Sequence, residues 1–215
     1  MQTSRIRDGV RAALPLALAP LLFGASFGLL AVEADLGRLG AVVMSATTFA
    51  GSAQFAAASI LESGGGAVAA IVAALLLNAR YVPLSLAVAS IFPGSRGRRL
   101  VDAQLIVDES WALAGRSGRF DYGVLAGAGL LLYVTWVGGT ALGTVVGDLL
   151  DPVAIGLDAA FPALFLALLA PYLHSRRSLA TALVAGAITL VLLPLAPAGV
   201  PIVAASLAAL IGLRR

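Results

Sequence analysis

Four stretches of this chain contain no charged residue, and each is fenced by charges. They lie between Arg11 and Glu33, Arg38 and Glu62, Asp121 and Asp148, and Arg177 and Arg214. The first three supply 21 to 26 mostly apolar residues each, and a helix needs about 20 to cross a hydrocarbon core of roughly 30 Å. A core helix of that length in a water-soluble protein carries a polar stripe, and these stretches carry none. The chain therefore reads as all-α, a polytopic transmembrane helix bundle of about six or seven membrane segments. It forms one membrane domain over residues 1–215, set in the cytoplasmic membrane with the lipid bilayer around it. Its function must reside in the few polar groups kept at membrane depth.

Composition closes several alternatives. Charged residues make up 12% of the chain and hydrophobic residues 60%, where a soluble domain is about a quarter charged. No length remains for a soluble catalytic or nucleic-acid-binding module. The net charge of +3 comes from arginines, with no lysine, mostly in short inter-helix loops. That is the pattern of cytoplasmic anchors, so no nucleic-acid partner is expected. The absence of cysteine removes thiol chemistry and Cys-based metal sites. The single His174, at a helix end beside Arg176, makes a poor metal site, and neither metal nor cofactor is expected. The polar, basic start at 1–11 precedes an apolar run too long for a signal-peptide core, which reads as a retained first helix.

Segment one is expected over about 12–32 and segment two over about 39–61, joined by a polar turn at 35–38. After the glycines at 64–66, segment three runs over about 67–91, interrupted by Asn78, Arg80 and Pro83. The polar stretch 92–121 contains apolar residues at near-helical spacing over 100–113, which predicts an amphipathic helix along the interface. Segments four and five fall at about 122–147 and 153–173. The uncharged run 178–213 would make roughly 54 Å of helix, too long for one crossing. Pro194, Pro197 and Pro201 divide it into two helices around a Pro-rich turn. Asp35 and Asp148, Phe49 and Phe161, and Pro83 and Pro194 echo one another at offsets of 113, 112 and 111 residues. This spacing suggests two three-segment repeats over about 12–91 and 122–213, a build common in secondary transporters. The arginine bias puts the N-terminus and 176–177 inside, yet three full crossings would place the Arg-rich stretch 96–119 outside. A segment three that is broken near 78–83 and returns without crossing relieves the conflict, and broken helices at depth occur only where they line a cavity or pack in protein.

The polar groups in these segments carry the functional argument. Segment two packs Ser45, Thr47, Thr48, Gly51, Ser52 and Gln54 into ten residues. The hydroxyls alone are accounted for by small-residue packing and bonds to their own i−4 carbonyls. Gln54 needs more than one local partner. Gly51 and Ser52 would let the helix unwind and offer N–H groups to an anion. Asn78 and Arg80 sit in an otherwise apolar run, and an arginine at depth costs a few kcal/mol. Arg80 either snorkels from a segment that ends early or faces a carboxylate, a substrate's or that of Asp158. Asp158 is the one acidic residue well inside an expected helix, which makes it a coupling candidate unless it sits at the interface beside Asp151. Asp108 and Glu109 read as a solvated acidic pair. Gly24 and Gly28 form a packing pair, and Trp111, Tyr122 and Tyr172 fall where interfacial belt residues do.

Five phrases, in order, resemble the AzlC-type branched-chain amino acid permeases. They are PLLFGASFG at 20–28, MSATTFAGSAQF at 44–55, LLNARYVPLS at 76–85, DES at 108–110 and GLDAAFPALF at 156–165. They span most of the chain, and the run Gly51-Ser52-Ala53-Gln54 is the most specific; the chain departs from the family in its shorter length and loops. The resemblance implies a transporter that exports branched-chain amino acids, Leu, Ile and Val with Met, together with a small AzlD-type membrane subunit; because the chain has no nucleotide-binding loop, a secondary transporter coupled to an ion or proton gradient is expected. Gly51, Ser52, Gln54, Asn78, Arg80, Asp108, Glu109 and Asp158 match family-typical positions; the reading of the residues themselves makes Gly51, Ser52, Gln54, Asn78 and Arg80 substrate-binding candidates, Asp158 the coupling candidate, and Asp108 and Glu109 further polar candidates. The residues alone leave open a channel or a structural subunit of a larger complex. An intramembrane protease would need a Ser/His pair, paired aspartates or zinc ligands, and only Asp158 lies deep, so no enzyme is expected. A channel would show rings of like residues or a carbonyl filter, and neither is visible.

Overall fold

The computed structural model describes residues 2–116, 119–149, 166, 170, 173–196 and 200–208. Helix α1 (Gln2–Ala13) leads through a 3-10 turn at Leu14–Leu16 into α2 (Leu18–Glu33). Then come α3 (Gly37–Thr48), α4 (Gly51–Glu62), α5 (Ala67–Asn78) and α6 (Tyr81–Val88). Two short helices follow, α7 (Arg96–Ala103) and α8 (Asp108–Ala114), and a small hairpin pairs β1 (Gly115–Arg116) with β2 (Arg119–Phe120). The long α9 (Tyr122–Leu149) comes next, and α10 (Arg176–Leu192) and α11 (Val200–Ser206) complete the described elements.

This is a helical membrane bundle. Among the described residues α9 alone is long and apolar enough to cross a bilayer, over Tyr122–Val146. Two bent pairs pass the same test when each is taken as one span: α1 with α2, bent by 64°, and α5 with the helical run Tyr81–Ile91, bent by 43°. Large apolar side chains such as Leu75, Leu183 and Leu190 point outward fully enough (65%, 65% and 73% exposed) that a hydrocarbon surround must satisfy them.

Helix α9 is the spine. Helices α1 and α2 lie along it so closely that glycine is required at the crossings. A Cβ on Gly24 or Gly28 would overlap the Trp136 or Thr140 carbonyl, and one on Gly139 or Gly143 would overlap that of Leu21 or Ala25. The Gly24/Gly28 pair seen in the sequence is thus half of a reciprocal contact, the other half being Gly139/Gly143. Phe27, Phe55 and Leu132 are fully buried between these helices. At the N-terminal end, Arg5 of α1 pairs with Asp121 at the foot of α9.

Several expectations change. The start of the chain, read as a polar tail, is helical from Gln2. Ile6, Gly9, Val10 and Ala13 recur at helical spacing and turn a face inward, a periodicity hidden from a scan for uncharged runs. The expected interfacial helix over 100–113 is split by the turn at 104–107; Leu100 and Val101 stay exposed on α7, while α8 buries Ser110 and Ala114. Segment two is two helices of 12 residues each, about 18 Å apiece and too short to span alone. Segment three breaks between α5 and α6 at Ala79–Arg80, as its polar residues predict. The long final stretch divides into α10 and α11 as its prolines predict. Trp111, expected in an interfacial belt, tilts against Phe120 at 5.0 Å, with its Nε1 buried and without a partner among the described residues. Most of segment five, with Asp158 and the Phe161 repeat anchor, lies outside the described residues.

Candidate functional site

The site begins with the break in segment two. Phe49 adopts left-handed backbone angles (φ 41°, ψ 51°), and Ala50 follows at φ −141° and ψ 82° before α4 starts at Gly51. For a bulky residue this costs about 1–2 kcal/mol, and it strips two helix ends of their intrahelical partners. The protein resupplies them. At the end of α3 the Ser45 carbonyl accepts the Phe49 N–H (3.1 Å). The Ala46 carbonyl accepts Tyr133 Oη (2.9 Å), and Gln104 Nε2 donates to the Thr47 carbonyl (2.9 Å) and more distantly to that of Ala46 (3.3 Å). On the other side, Gln54 Oε1 accepts the Ala50 N–H (3.1 Å) while its Nε2 donates to Ser45 Oγ (3.0 Å).

Ser45 is the hub. Its hydroxyl also accepts Trp136 Nε1 (3.2 Å) and lies 2.8 Å from Thr140 Oγ1. Thr140 gives its own proton to the Trp136 carbonyl (3.0 Å), so Ser45 donates to Thr140, and each of these hydroxyls has a proton to give and a place to send it. Ser45, Gln54 and Thr140 are all 0% exposed. A buried network with this degree of satisfaction rigidifies what it joins; here it joins α3, α4 and α9 and holds the break open.

Next to the break is a cavity of about 450 Å³, within the roughly 300–1,000 Å³ of small-molecule sites. Four interruptions of the chain converge on it. The α1–α2 bend contributes Leu16, Pro20 and Phe23; the α3–α4 break contributes Phe49, Gly51, Ser52 and Phe55. The α5–α6 break supplies Arg80 and Tyr81, the start of α8 supplies Val107, Asp108 and Glu109, and α9 closes the floor with Leu132 and Trp136. The floor is rigid. The Trp136 ring stacks on Phe27 at 6.3 Å and meets Phe55 edge-on at 6.3 Å. Gly51 sits so near it that a Cβ would lie 2.8 Å from its Cη2.

One wall is polar. Arg80 Nη2 donates to Ser52 Oγ (3.2 Å) and lies 3.3 Å from Asp108 Oδ2, and its guanidinium carbon stands 5.2 Å from the Tyr81 ring centre. The Arg80 and Asp108 side chains are 41% and 38% exposed, so their pairing contributes only about 0–1 kcal/mol and is free to exchange. Ser52 occupies the first turn of α4, whose leading N–H groups have no intrahelical acceptor, and that end of a helix favours anions. Asp108 and Glu109 open α8, where acidic residues suit the dipole. Ser110 fixes that start by accepting the Val107 N–H (3.0 Å) and donating to the Leu105 carbonyl (2.7 Å). Glu109 keeps accessible surface in the cavity, but the surrounding protein strips much of its bulk hydration. That desolvation raises its pKa above the usual carboxylate range; Asp108 adds to the rise, and Arg80 and a backbone hydrogen bond oppose it.

The structure thus brings Gly51, Ser52, Arg80, Asp108 and Glu109 to one cavity. The acidic pair opens a helix and lines the cavity, with both side chains still partly exposed. Gln54 stands beneath the cavity instead of lining it, with both ends of its amide used inside the protein. Asn78 ends α5 directly after the cavity's Leu77 and two residues before Arg80, yet stays outside the lining, with its Oδ1 buried and unpartnered among the described residues. Sequence reasoning missed Thr140, Tyr133, Gln104 and Trp136. The position of Trp136 in mid-span, far from either belt, was the one available signal.

Comparison with known proteins places this architecture. The family model described as AzlC protein matches residues 15–150, a span that holds the whole cavity. An uncharacterized membrane protein of Archaeoglobus fulgidus is 32% identical over 217 residues, covering 96% of this chain and 93% of the relative. One of Helicobacter pylori is 26% identical over 166 residues, covering 75% and 73%. The branched-chain amino acid transport protein AzlC of Bacillus subtilis is 26% identical over 157 residues, covering 71% of this chain and 62% of that one. No solved structure matches. The chain is a membrane protein of the AzlC family.

Proposed function

We propose that this chain exports branched-chain amino acids, leucine, isoleucine and valine with methionine, through the cavity at the α3–α4 break. The carrying observation is the pairing in one cavity of aliphatic and aromatic walls with Arg80 and the open start of α4, a combination suited to an apolar side chain and a carboxylate. The name of the Bacillus subtilis relative supports the substrate class. Export against a gradient needs an energy source, and the sequence has no nucleotide-binding loop; coupling is to an ion or proton gradient, with Asp158 as the coupling carboxylate. A small AzlD-type membrane subunit completes the transporter, and copurification in mild detergent of the two coexpressed chains checks it. The function itself is tested by loading cells with leucine-containing dipeptides and following leucine efflux with and without the chain and its partner. Faster efflux with the pair is expected, and equal efflux refutes export.

A further inference from the structure

The polar wall of the cavity carries more charge than a carboxylate ligand needs. Arg80 and the start of α4 would serve any carboxylate, but Asp108 already stands 3.3 Å from Arg80 Nη2. Glu109, the next residue of α8, lines the same wall. With both carboxylates ionised, this wall holds two negative charges against one positive. Such a wall repels a simple monocarboxylate and attracts a cation. A ligand with both charges close together answers it: it can lie against the Arg80–Asp108 pair head to tail, each of its charges facing the opposite one.

We infer that Asp108 and Glu109 form an ammonium subsite, so that the cavity selects α-amino acid zwitterions over carboxylates of the same carbon skeleton. The ligand inserts against the exchangeable Arg80–Asp108 pair. Its carboxylate goes to Arg80, Ser52 and the free N–H groups of α4, its ammonium to Asp108 and Glu109, and its side chain to Phe23, Leu132 and Trp136. Without ligand, Asp108 occupies Arg80 and keeps the guanidinium from binding stray anions. This inference rests on the reading of the cavity as an amino acid site, and it adds a rule that reading does not contain: both charges are required, and Asp108 is what excludes the oxo acid.

The test uses the protein purified from membranes in mild detergent with whatever subunit copurifies. Bound radiolabelled leucine is competed with unlabelled leucine, with 4-methyl-2-oxopentanoate, which lacks the ammonium, and with 3-methylbutylamine, which lacks the carboxylate. Both analogues are expected to compete about tenfold or more weakly than leucine, the scale of one lost charge-assisted bond. In Asp108→Asn leucine should weaken while the oxo acid strengthens, because Arg80 is released; a gain of binding cannot come from a misfolded protein. Glu109→Gln should weaken leucine and 3-methylbutylamine and leave the oxo acid unchanged or stronger. Equal competition by leucine and the oxo acid in the unaltered protein, or an unchanged ratio in both variants, overturns the ammonium subsite while leaving an amino acid site standing. Failure of the unaltered protein to bind leucine at all overturns both readings.

Discussion

Replacing Gln54 with leucine separates a residue that braces the break from one that touches substrate. The side chain is fully buried, and its amide makes two bonds, from the Ala50 N–H and to Ser45 Oγ. Leucine is of similar volume, so no large cavity term enters. The Ala50 N–H sits on a residue that is 1% exposed; orphaned, it costs about 1–3 kcal/mol, and the lost bond to Ser45 adds about 0.5–1.5. Ser45 keeps Trp136 and Thr140, which limits the damage. A total near 2–4 kcal/mol corresponds to a fall in Tm of about 5–15 °C at roughly 2–4 °C per kcal/mol for a chain of this size. Thermal unfolding followed by tryptophan fluorescence reads it directly, since the Trp136 indole shares the Ser45 hub. Gln54→Glu is the matched control. A neutral carboxylic acid supplies the same acceptor and one donor, an ionised one supplies no donor, so its deficit should grow as pH rises. An unchanged Tm in Gln54→Leu with loss of leucine binding would refute the bracing role and return Gln54 to the substrate.

Gly51→Ala places a methyl 2.8 Å from Trp136 Cη2; because two aromatic neighbours, Phe27 and Phe55, and a hydrogen bond hold that ring, overpacking should cost about 1–3 kcal/mol and weaken leucine binding, measured by unfolding and ligand titration. Arg80→Ala should impair leucine binding itself with little change in Tm, since its ion pair is half exposed. Asp158→Asn should abolish accumulation driven by an imposed pH gradient in proteoliposomes while leaving leucine exchange in part intact; full accumulation removes Asp158 as the coupling site. Leucine affinity should fall as pH drops through a range above that of ordinary carboxylates. Glu109 has its pKa raised by desolvation, so protonation, which removes an ammonium partner, begins there. Asp108, Arg80 and Tyr81 face it, and Glu109→Gln should flatten the profile.

How much of the fold was legible follows from what each feature costs. Apolar length announces itself, so the long α9 and the prolines dividing 178–213 were readable. The breaks at Asn78–Arg80 and near Gly51 were readable too, because polar residues at depth are expensive and their presence marks unusual backbone. The position of the second break was not. The residue that turns left-handed is Phe49, not a glycine, and nothing local favours that conformation. It is imposed by partners remote in sequence: Tyr133 and Gln104 on the α3 carbonyls, and Trp136 and Thr140 on Ser45. The helix α1 escaped for a different reason. Its inward face is small and periodic; Arg7, Asp8 and Arg11 lie on the other side, and Arg5 pairs with Asp121 at the foot of α9.

The site was legible as a set of residues and illegible as a set of roles, and one physical quantity accounts for the difference. Every polar group at depth must be satisfied, and sequence shows which groups carry that demand but not where it is met. Gln54 and Ser45 meet it wholly inside the protein and are fully buried, so they present no donor or acceptor to a ligand. Arg80, Asp108 and Glu109 meet it through a half-exposed pair and a cavity surface, so they retain donors and acceptors that a substrate can take. Gln54 and Arg80 looked alike in the sequence as costly polar residues in apolar surroundings. The folded chain separates them by spare hydrogen-bonding capacity, and that capacity lies where four breaks in the helices meet.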